Sequence, residues 1–304
     1  MTTSVFILNP KAGRGAARRL IDPLCDQMRR RGIRSSLLLT TRAGEAAELA
    51  RHADAYVVVA VGGDGTVQEV ANGLAGSRKA LGVVPAGSGN DFMRSIALPK
   101  ELDDALDLIT AGKTRQIDLG TIAWSGKDDG NGGNCNSGHR CFVNGVGFGF
   151  AASVAARTAD IANLSGTALY LVAVLESLRS YRSPVFEVDV DGARRSSRYL
   201  LIGVGNGKSI GGGFLLTPNA RVDDGRLDIC FIDEVSIPRI ISLIPSALQG
   251  KLHEVKEVNV VQGKTIVLRA DSPFSVHADG EILGTDLSSV RIGLSGEQLS
   301  VISG

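Results

Sequence analysis

Short apolar runs and helical apolar stripes alternate along the first 118 residues. Ser4–Leu8 reads as a buried strand, and Ala16–Arg31 as a helix with Leu20, Leu24 and Met28 on one stripe. Ser36–Thr40, Tyr56–Val61 and Leu81–Val84 read as further strands, followed by helices at Glu45–His52, Val67–Leu74 and Leu102–Ile109. Strict alternation predicts a parallel sheet covered on both faces. From about residue 119 the rhythm changes, and candidate strands follow one another. They are Gly120–Ala123, Cys141–Val146, Val185–Val190, Arg198–Val204, Leu227–Ile232, Lys256–Val261, Thr265–Arg269, Phe274–Ala278, Val290–Leu294 and Gln298–Ile302. Helical patterns at Thr167–Tyr181 and Ile237–Gln249 interrupt them. Such runs predict an antiparallel sandwich or barrel. The expected fold class is therefore α/β plus all-β, with an α/β domain at 1–118 and a β-rich domain at 119–304. The C-terminal tail is left able to pack back onto the first.

Composition narrows the function classes. A chain of 304 residues is long for one core and short for three. Lys+Arg 33 against Asp+Glu 32 leaves a formal charge of +1, which argues against nucleic acid as a partner and against a polybasic membrane anchor. The run from Ala168 to Leu175 is the longest uninterrupted apolar stretch, far short of the ~20 residues that span a bilayer, so no transmembrane segment is expected. The N-terminal MTTSVFILNP reads as a strand and not as a signal peptide. With cysteines scattered at Cys25, Cys135, Cys141 and Cys230, a reducing cytoplasm is the expected location. The 38 glycines stand well above the usual ~7%.

Where those glycines fall is informative. The first strand runs into Asn9-Pro10-Lys11-Ala12-Gly13-Arg14-Gly15, the third into Gly62-Gly63-Asp64-Gly65-Thr66, and the fourth into Pro85-Ala86-Gly87-Ser88-Gly89-Asn90-Asp91. In an open parallel sheet all three loops lie beyond the carboxyl ends of their strands, where such folds bind ligands. Helix starts and loops without Cβ atoms suit a polyphosphate. Familiar nucleotide motifs fail: Arg18 stands where the third glycine of G-x-G-x-x-G belongs. Gly207-Lys208-Ser209 ends like a P-loop, but Ile202 occupies the first glycine position.

The order N-P-x-A-G-x-G, G-G-D-G-T and P-x-G-[ST]-x-N-D-F resembles the diacylglycerol kinase catalytic-domain family. The likeness continues through Gly211-Gly212-Gly213-Phe214, Pro218, Asp223-Asp224-Gly225-Arg226-Leu227-Asp228 and Asp279-Gly280-Glu281. GGDGT alone is ambiguous, because NAD kinases and phosphofructokinases carry similar strings. The resemblance implies an NAD kinase/phosphofructokinase-like α/β domain binding ATP, and a β-sandwich domain binding a lipid substrate. It implies Mg²⁺-dependent transfer of the γ-phosphoryl group to a lipid hydroxyl, with diacylglycerol as the default acceptor. An NAD kinase-like enzyme and a nucleotide- or lipid-binding regulator without turnover stand as alternatives. The protein is expected to visit the membrane surface transiently, and a homodimer is left open.

By that resemblance Asn9, Pro10, Gly13, Arg14, Gly15, Thr40, Gly62, Gly63, Asp64, Gly65, Thr66, Val67, Gln68 and Ser88 line the nucleotide. Asp64, Asp91 and Asp118 would join a water-mediated Mg²⁺ network, and Asp224 with the carbonyls of Arg221 and Arg226 would hold a second, structural Mg²⁺. Read without the family, Asp64 and the Asp223-Asp224-Gly225 stretch are also ordinary turn formers, and Arg14 an exposed helix-start residue. Asp279 and Glu281, two apart on a strand, are expected to project to one side. The family makes this pair catalytic, with Glu281 as proton acceptor and Asp279 close behind; an exposed turn is the plain alternative. Gln68 stands where the family usually has Asn, and Ala151-Ala152 where it often has an acidic residue. Ser125–Arg140 reads as a polar loop insertion, and its Cys135, His139 and Cys141 match no common zinc spacing.

Overall fold

The computed structural model describes residues 4–126, 137–158, 161, 166–177 and 182–304. The chain divides into two compact units, residues 1–119 with 296–304, and residues 120–295.

The first unit contains β1 (Ser4–Leu8), α1 (Ile21–Arg30), β2 (Ser35–Leu39), α2 (Glu45–His52), β3 (Val57–Gly62), α3 (Asp64–Leu74), β4 (Ala80–Pro85), α4 (Asp91–Ser95) and α5 (Leu102–Ala111). Strand β1 pairs in parallel with β2 and β3, and β3 pairs in parallel with β4. Ser300 and Val301 continue the sheet in parallel beyond β4. Every residue of β1 is buried, as continuous apolar runs in a doubly covered sheet require. Phe6, Leu8, Val59, Val61 and Val84 pack with Leu24 and Met28 of α1 and Leu106 and Ile109 of α5. The predicted helix at 16–31 is shorter than expected. Gly13 and Arg14 take left-handed backbone angles, so two 3₁₀ turns at Ala12–Gly15 and Ala17–Leu20 precede α1.

The second unit contains β6 (Gly138–Phe142), β7 (Gly145–Gly149), α6 (Phe150–Thr158), α7 (Gly166–Ser177), β8 (Val185–Val190), β9 (Ala193–Gly205), β10 (Leu227–Asp233), α8 (Ile237–Gln249), β11 (Val258–Gly263) and β12 (Thr265–Ala278). Strand β5 (Thr114–Gly126) enters this unit at Gly120, and β13 (Glu281–Ile302) leaves it after Ser295. Its pairings β7–β9, β9–β10, β10–β11, β7–β12, β8–β9, β8–β12, β12–β13 and β5–β6 are all antiparallel. Side chains alternate between two cores with the strand period of two. In β10, Ile229 and Phe231 join a core with Phe148, Phe186 and Phe274, while Cys230 and Ile232 face a second core with Phe150, Leu243 and Leu252. Among the described residues, no helix is long and apolar enough to cross a membrane.

Two expectations about elements are corrected. The single strand predicted at 141–146 is broken at Val143 and Asn144, whose N–H groups turn to a carboxylate. The end of the predicted polar insertion is structured, since His139 and Arg140 lie on β6 opposite Ala123 and Ile122. Residues 127–136, and Cys135 with them, lie outside the described residues, as do 178–181 at the end of the predicted helix.

Candidate active site

In the first unit the glycine loops meet backbone to backbone. A Cβ on Gly13 would stand 2.2 Å from the Ala86 carbonyl oxygen, and one on Gly87 would stand 2.3 Å from the Gly63 Cα. No side chain larger than hydrogen fits at either crossing, which is the local reason for glycine there. Gly13 and Arg14 follow each other at φ 57° and 56°, and Gly15 has φ 86°. Asn9 ties the loop after β1 to the first turn of α3: its Oδ1 accepts from Lys11 N–H at 3.0 Å and its Nδ2 reaches Thr66 Oγ1 at 3.4 Å. Thr40 N–H donates to the Leu8 carbonyl at 2.9 Å, so the end of β2 sits beside the β1 loop.

Asp64 is the first residue of α3, not a residue of the preceding loop. Its Oδ1 accepts from Phe92 N–H at 3.2 Å, linking α3 to α4, whose first residue is the buried Asp91. Asp118 lies within β5, and its Oδ1 accepts from Gln298 Nε2 at 3.2 Å. Val67 is buried, whereas Arg14, Gly65 and Ser88 are exposed. Gln68 is fully buried, and neither Nε2 nor Oε1 of its amide has a hydrogen-bond partner within the protein. A buried amide left unpaired costs about 1–3 kcal/mol, a penalty that a bound ligand can relieve.

In the second unit the site is built around one turn. Ala278 pairs with Glu281 across a two-residue connection in which Asp279 and Gly280 both have positive φ, 48° and 84°. This is the signature of a type I′ hairpin turn, for which Asp-Gly is a preferred pair. The expectation that Asp279 and Glu281 project to one side of a strand is thereby corrected: the turn sends them to different surroundings. Asp279 is buried, and its carboxylate accepts three main-chain N–H groups, from Val143 at 2.8 Å, Asn144 at 3.0 Å and Gly145 at 2.8 Å. Burial pushes its pKa up to about 6, a rise held back by those three bonds and by the nearby Arg140. Glu281 is exposed and pairs with Arg140 Nη1 at 2.9 Å.

Two buried asparagines brace the 143–145 segment. Asn144 Nδ2 donates to the Ser209 carbonyl at 2.7 Å, and Asn206 Nδ2 donates to the Val143 carbonyl at 2.9 Å. Beside the turn lies an apolar cavity of about 100 Å³. Residues of α6, α7, β9 and α8 line it, among them Phe150, Val174, Leu200 and Leu243, together with His277 and Gly280. Gly211, Gly212 and Gly213, all at positive φ, lead into Phe214 on its wall. The Arg221–Arg226 turn is separate from this cavity: Asp224 Oδ1 accepts from Arg226 N–H at 3.1 Å, and Arg221 pairs with Asp223.

Comparison with known proteins agrees with this architecture. Residues 3–122 match the diacylglycerol kinase catalytic domain, and residues 144–302 match the YegS C-terminal NAD kinase beta sandwich-like domain. A diacylglycerol kinase of Mycobacterium tuberculosis is 32% identical over 298 residues, covering 95% of this chain and 92% of its own. The chain belongs to the diacylglycerol kinase family. A relative of that name from Bacillus subtilis is 28% identical over 294 residues, 93% of this chain and 91% of its own. A solved structure described as a diacylglycerol kinase, from Bacillus anthracis str. Sterne, covers 100% of this chain and 97% of its own, with a TM-score of 0.70 at 24% identity. That likeness bears on the fold. As a member of this family the chain is a lipid kinase, and its second half is a β-sandwich domain.

Sequence reasoning did not single out Arg140, Asn144, Asn206 or His277. Arg140 was hidden in a polar insertion, Asn144 read as part of the strand predicted at 141–146, and Asn206 fell just beyond the strand predicted at 198–204. For His277 the available signal was a histidine at an inward position of an apolar strand, directly before Asp-Gly-Glu.

Proposed function

We propose that the chain transfers the γ-phosphoryl group of ATP to the hydroxyl of a lipid, with diacylglycerol as the first acceptor to test and Mg²⁺ as the required ion. The observation that carries this reading is the apolar cavity whose wall includes Gly280 of the turn presenting Glu281. Such a lining suits hydrocarbon and offers little to the charged, hydrogen-bonding surface of a dinucleotide. That disfavours an NAD kinase-like reaction. A regulator without turnover would have no need of the Arg140–Glu281 pair beside an acceptor pocket.

The glycine loops of the first unit would hold the phosphates on main-chain N–H groups, with Arg14 adding positive charge. The unpaired amide of Gln68 fits a group that hydrogen-bonds the nucleotide. Among the described residues, no three acidic, histidine or cysteine side chains gather closely enough to hold a metal by themselves. This fits Mg²⁺, which keeps several waters and is held by one or two carboxylates together with substrate phosphates. Asp64, with Asp91 and Asp118 through water, would hold it, and the ion would supply neutralisation of the charge on the phosphoryl oxygens. A second Mg²⁺ would be held at the 221–226 turn by the Asp224 side chain and the carbonyls of Arg221 and Arg226, and would pin the turn without entering the reaction.

In the transfer, Glu281 accepts the proton of the lipid hydroxyl as its oxygen bonds to the γ-phosphorus. The bond from that phosphorus to the bridging oxygen breaks, and ADP leaves with that oxygen. Arg140 aims the Glu281 carboxylate. Asp279 positions the turn through its three N–H bonds and does not take the proton. The deciding experiment offers γ-labelled ATP with diacylglycerol, ceramide and a total lipid extract in mixed micelles, with Mg²⁺ or chelator. Mg²⁺-dependent labelling of diacylglycerol that vanishes in Asp64→Ala is expected. Labelling of no lipid, with ATP still bound, would overturn the reading.

Access to a membrane-held acceptor is assigned to α8. Its Ile240, Leu243, Ile244 and Ala247 line the cavity, while Ile237, Ile241 and Pro245, spaced by four, are exposed on another face. The one charged residue of this helix, Arg239, is paired with Glu257 at 2.9 Å. An apolar outer face continuous with a lipid pocket suits shallow contact with the bilayer. Replacing Ile237 and Ile241 together by Asp is expected to weaken binding to phosphatidylglycerol vesicles at least tenfold, since burying one Ile contributes roughly 1.5–3 kcal/mol. Activity on a short-chain, soluble diacylglycerol should stay within about twofold of the parent, because neither residue lines the cavity.

A further inference from the structure

His277 is the polar exception in the apolar cavity. Of the residues lining that cavity, it is the one with a polar side chain, among the described residues. The strand period explains its direction: Val276 and Ala278 of β12 point into the phenylalanine-rich core, so His277 points to the opposite, cavity face. The ring lies over Gly147, its partner on β7. A Cβ at residue 147 would stand 2.1 Å from Nε2, so glycine there is what admits the imidazole. The side chain is buried, and Nδ1 has no hydrogen-bond partner. Burial pushes the pKa down to about 4, so the ring is neutral at pH 7, with one N–H donor and one acceptor nitrogen. A buried nitrogen without a partner is costly, and phenylalanine would fill the same space without that cost. A polar edge in such a place is explained by a ligand that supplies the partner.

We propose that His277 is the polar anchor of the acceptor cavity: its imidazole N–H donates a hydrogen bond to an acyl carbonyl of the bound lipid. The carbonyl is that of an ester or an amide. This bond fixes how far the lipid enters, and therefore where its hydroxyl stands relative to Glu281, four residues along the same hairpin. The inference rests on the reading of this cavity as the acceptor site. His277 is a specificity-determining residue in this scheme, not a proton carrier.

The test compares a diacylglycerol, a ceramide and a dialkylglycerol of matched chain length, the last having ether oxygens in place of carbonyls. His277→Phe is expected to lower kcat/KM for the diacylglycerol about tenfold, the order of one lost hydrogen bond in a dry site. Turnover of the dialkylglycerol should change less than about twofold, and His277→Gln, which keeps an N–H donor, should recover part of the loss. An equal loss on carbonyl-bearing and ether lipids, or no loss on either the ester or the amide lipid, would overturn the proposal. Response to the ceramide alone would place the carbonyl on an amide and keep the anchor.

A second readout does not need turnover. The chain has four histidines, so imidazole ¹H–¹⁵N spectra are simple, and the His277 signal is the one lost in His277→Phe or His277→Gln. That signal should move when diacylglycerol is added in micelles and stay in place with the dialkylglycerol. If the wild type labels no lipid yet this difference is seen, the kinase reading fails and the anchor stands. If no lipid moves the signal, the anchor fails whatever the kinase assay shows.

Discussion

Glu281→Gln is expected to reduce kcat on the lipid acceptor by roughly 10²–10⁴, the usual contribution of a positioned proton acceptor. The amide keeps the size of the side chain, and its oxygen can still accept from Arg140, so the turn should survive. The Arg140–Glu281 bridge is exposed on the Glu281 side and contributes only about 0–1 kcal/mol to stability, so the melting temperature should hardly move. The KM for ATP should stay within about twofold, because the glycine loops that would hold ATP are untouched. Steady-state kinetics with both substrates varied checks the split between kcat and KM. A variant turning over at a near-wild-type rate would remove Glu281 from the proton-accepting role.

Asp279→Asn is expected to fail differently, in stability and rate together. An amide presents two N–H donors where the carboxylate accepts three main-chain N–H groups, so at least one donor must face another. Such a buried mismatch costs about 3 kcal/mol, which for a unit of this size lowers the melting temperature by roughly 6–12 °C. The turn would then hold Glu281 loosely, and a misplacement near 1 Å is enough to lower kcat/KM about a hundredfold. The pH dependence carries a sign. In the folded state Asp279 titrates at about 6, above the usual Asp value near 3.9. Its contribution to stability is therefore fully present below about pH 3.9 and is lost as pH rises through about 6. Asn does not titrate, so the melting-temperature gap between wild type and variant should widen as pH falls from 7 to 4. A gap that narrows on acidification would mean that the three N–H bonds outweigh burial and depress the pKa instead.

These two expectations separate residues that the sequence presents as a pair. In the sequence, Asp279 and Glu281 are two carboxylates flanking a glycine, and alternation along a strand would set them side by side. The Asp-Gly pair is itself a strong turn signal, and reading it as a turn would have parted them. What the pattern could not supply is the partner of the inward carboxylate. The three N–H groups come from residues 134 to 136 positions away in the chain. The same distance explains the broken strand at Val143–Asn144, which has no mark in its own apolar pattern. Arg140 is a similar case: a polar, glycine-rich neighbourhood describes an insertion well and says nothing of which carboxylate its last residue meets.

Much of the first unit was legible because its causes are local. Alternating runs specify β1 to β4 and the helices that cover them, and glycines directly after strands mark where chain must cross chain. Gly13 against Ala86 and Gly87 against Gly63 then show the contact that excludes a Cβ. The family motifs were readable for the same reason, since each is a short string that builds its own turn. Composition excluded a broad basic surface without help from coordinates.

Tertiary structure alone decided the division of labour around the acceptor. It turned Asp279 inward and Glu281 outward, placed His277 on the cavity side of β12, and assembled that cavity from helices and strands far apart in sequence. The physical reason is common to all three. A hydrogen bond to a distant amide, a burial-driven pKa shift and a cavity wall are properties of space shared by several segments. A linear pattern records only which face of its own element a residue prefers.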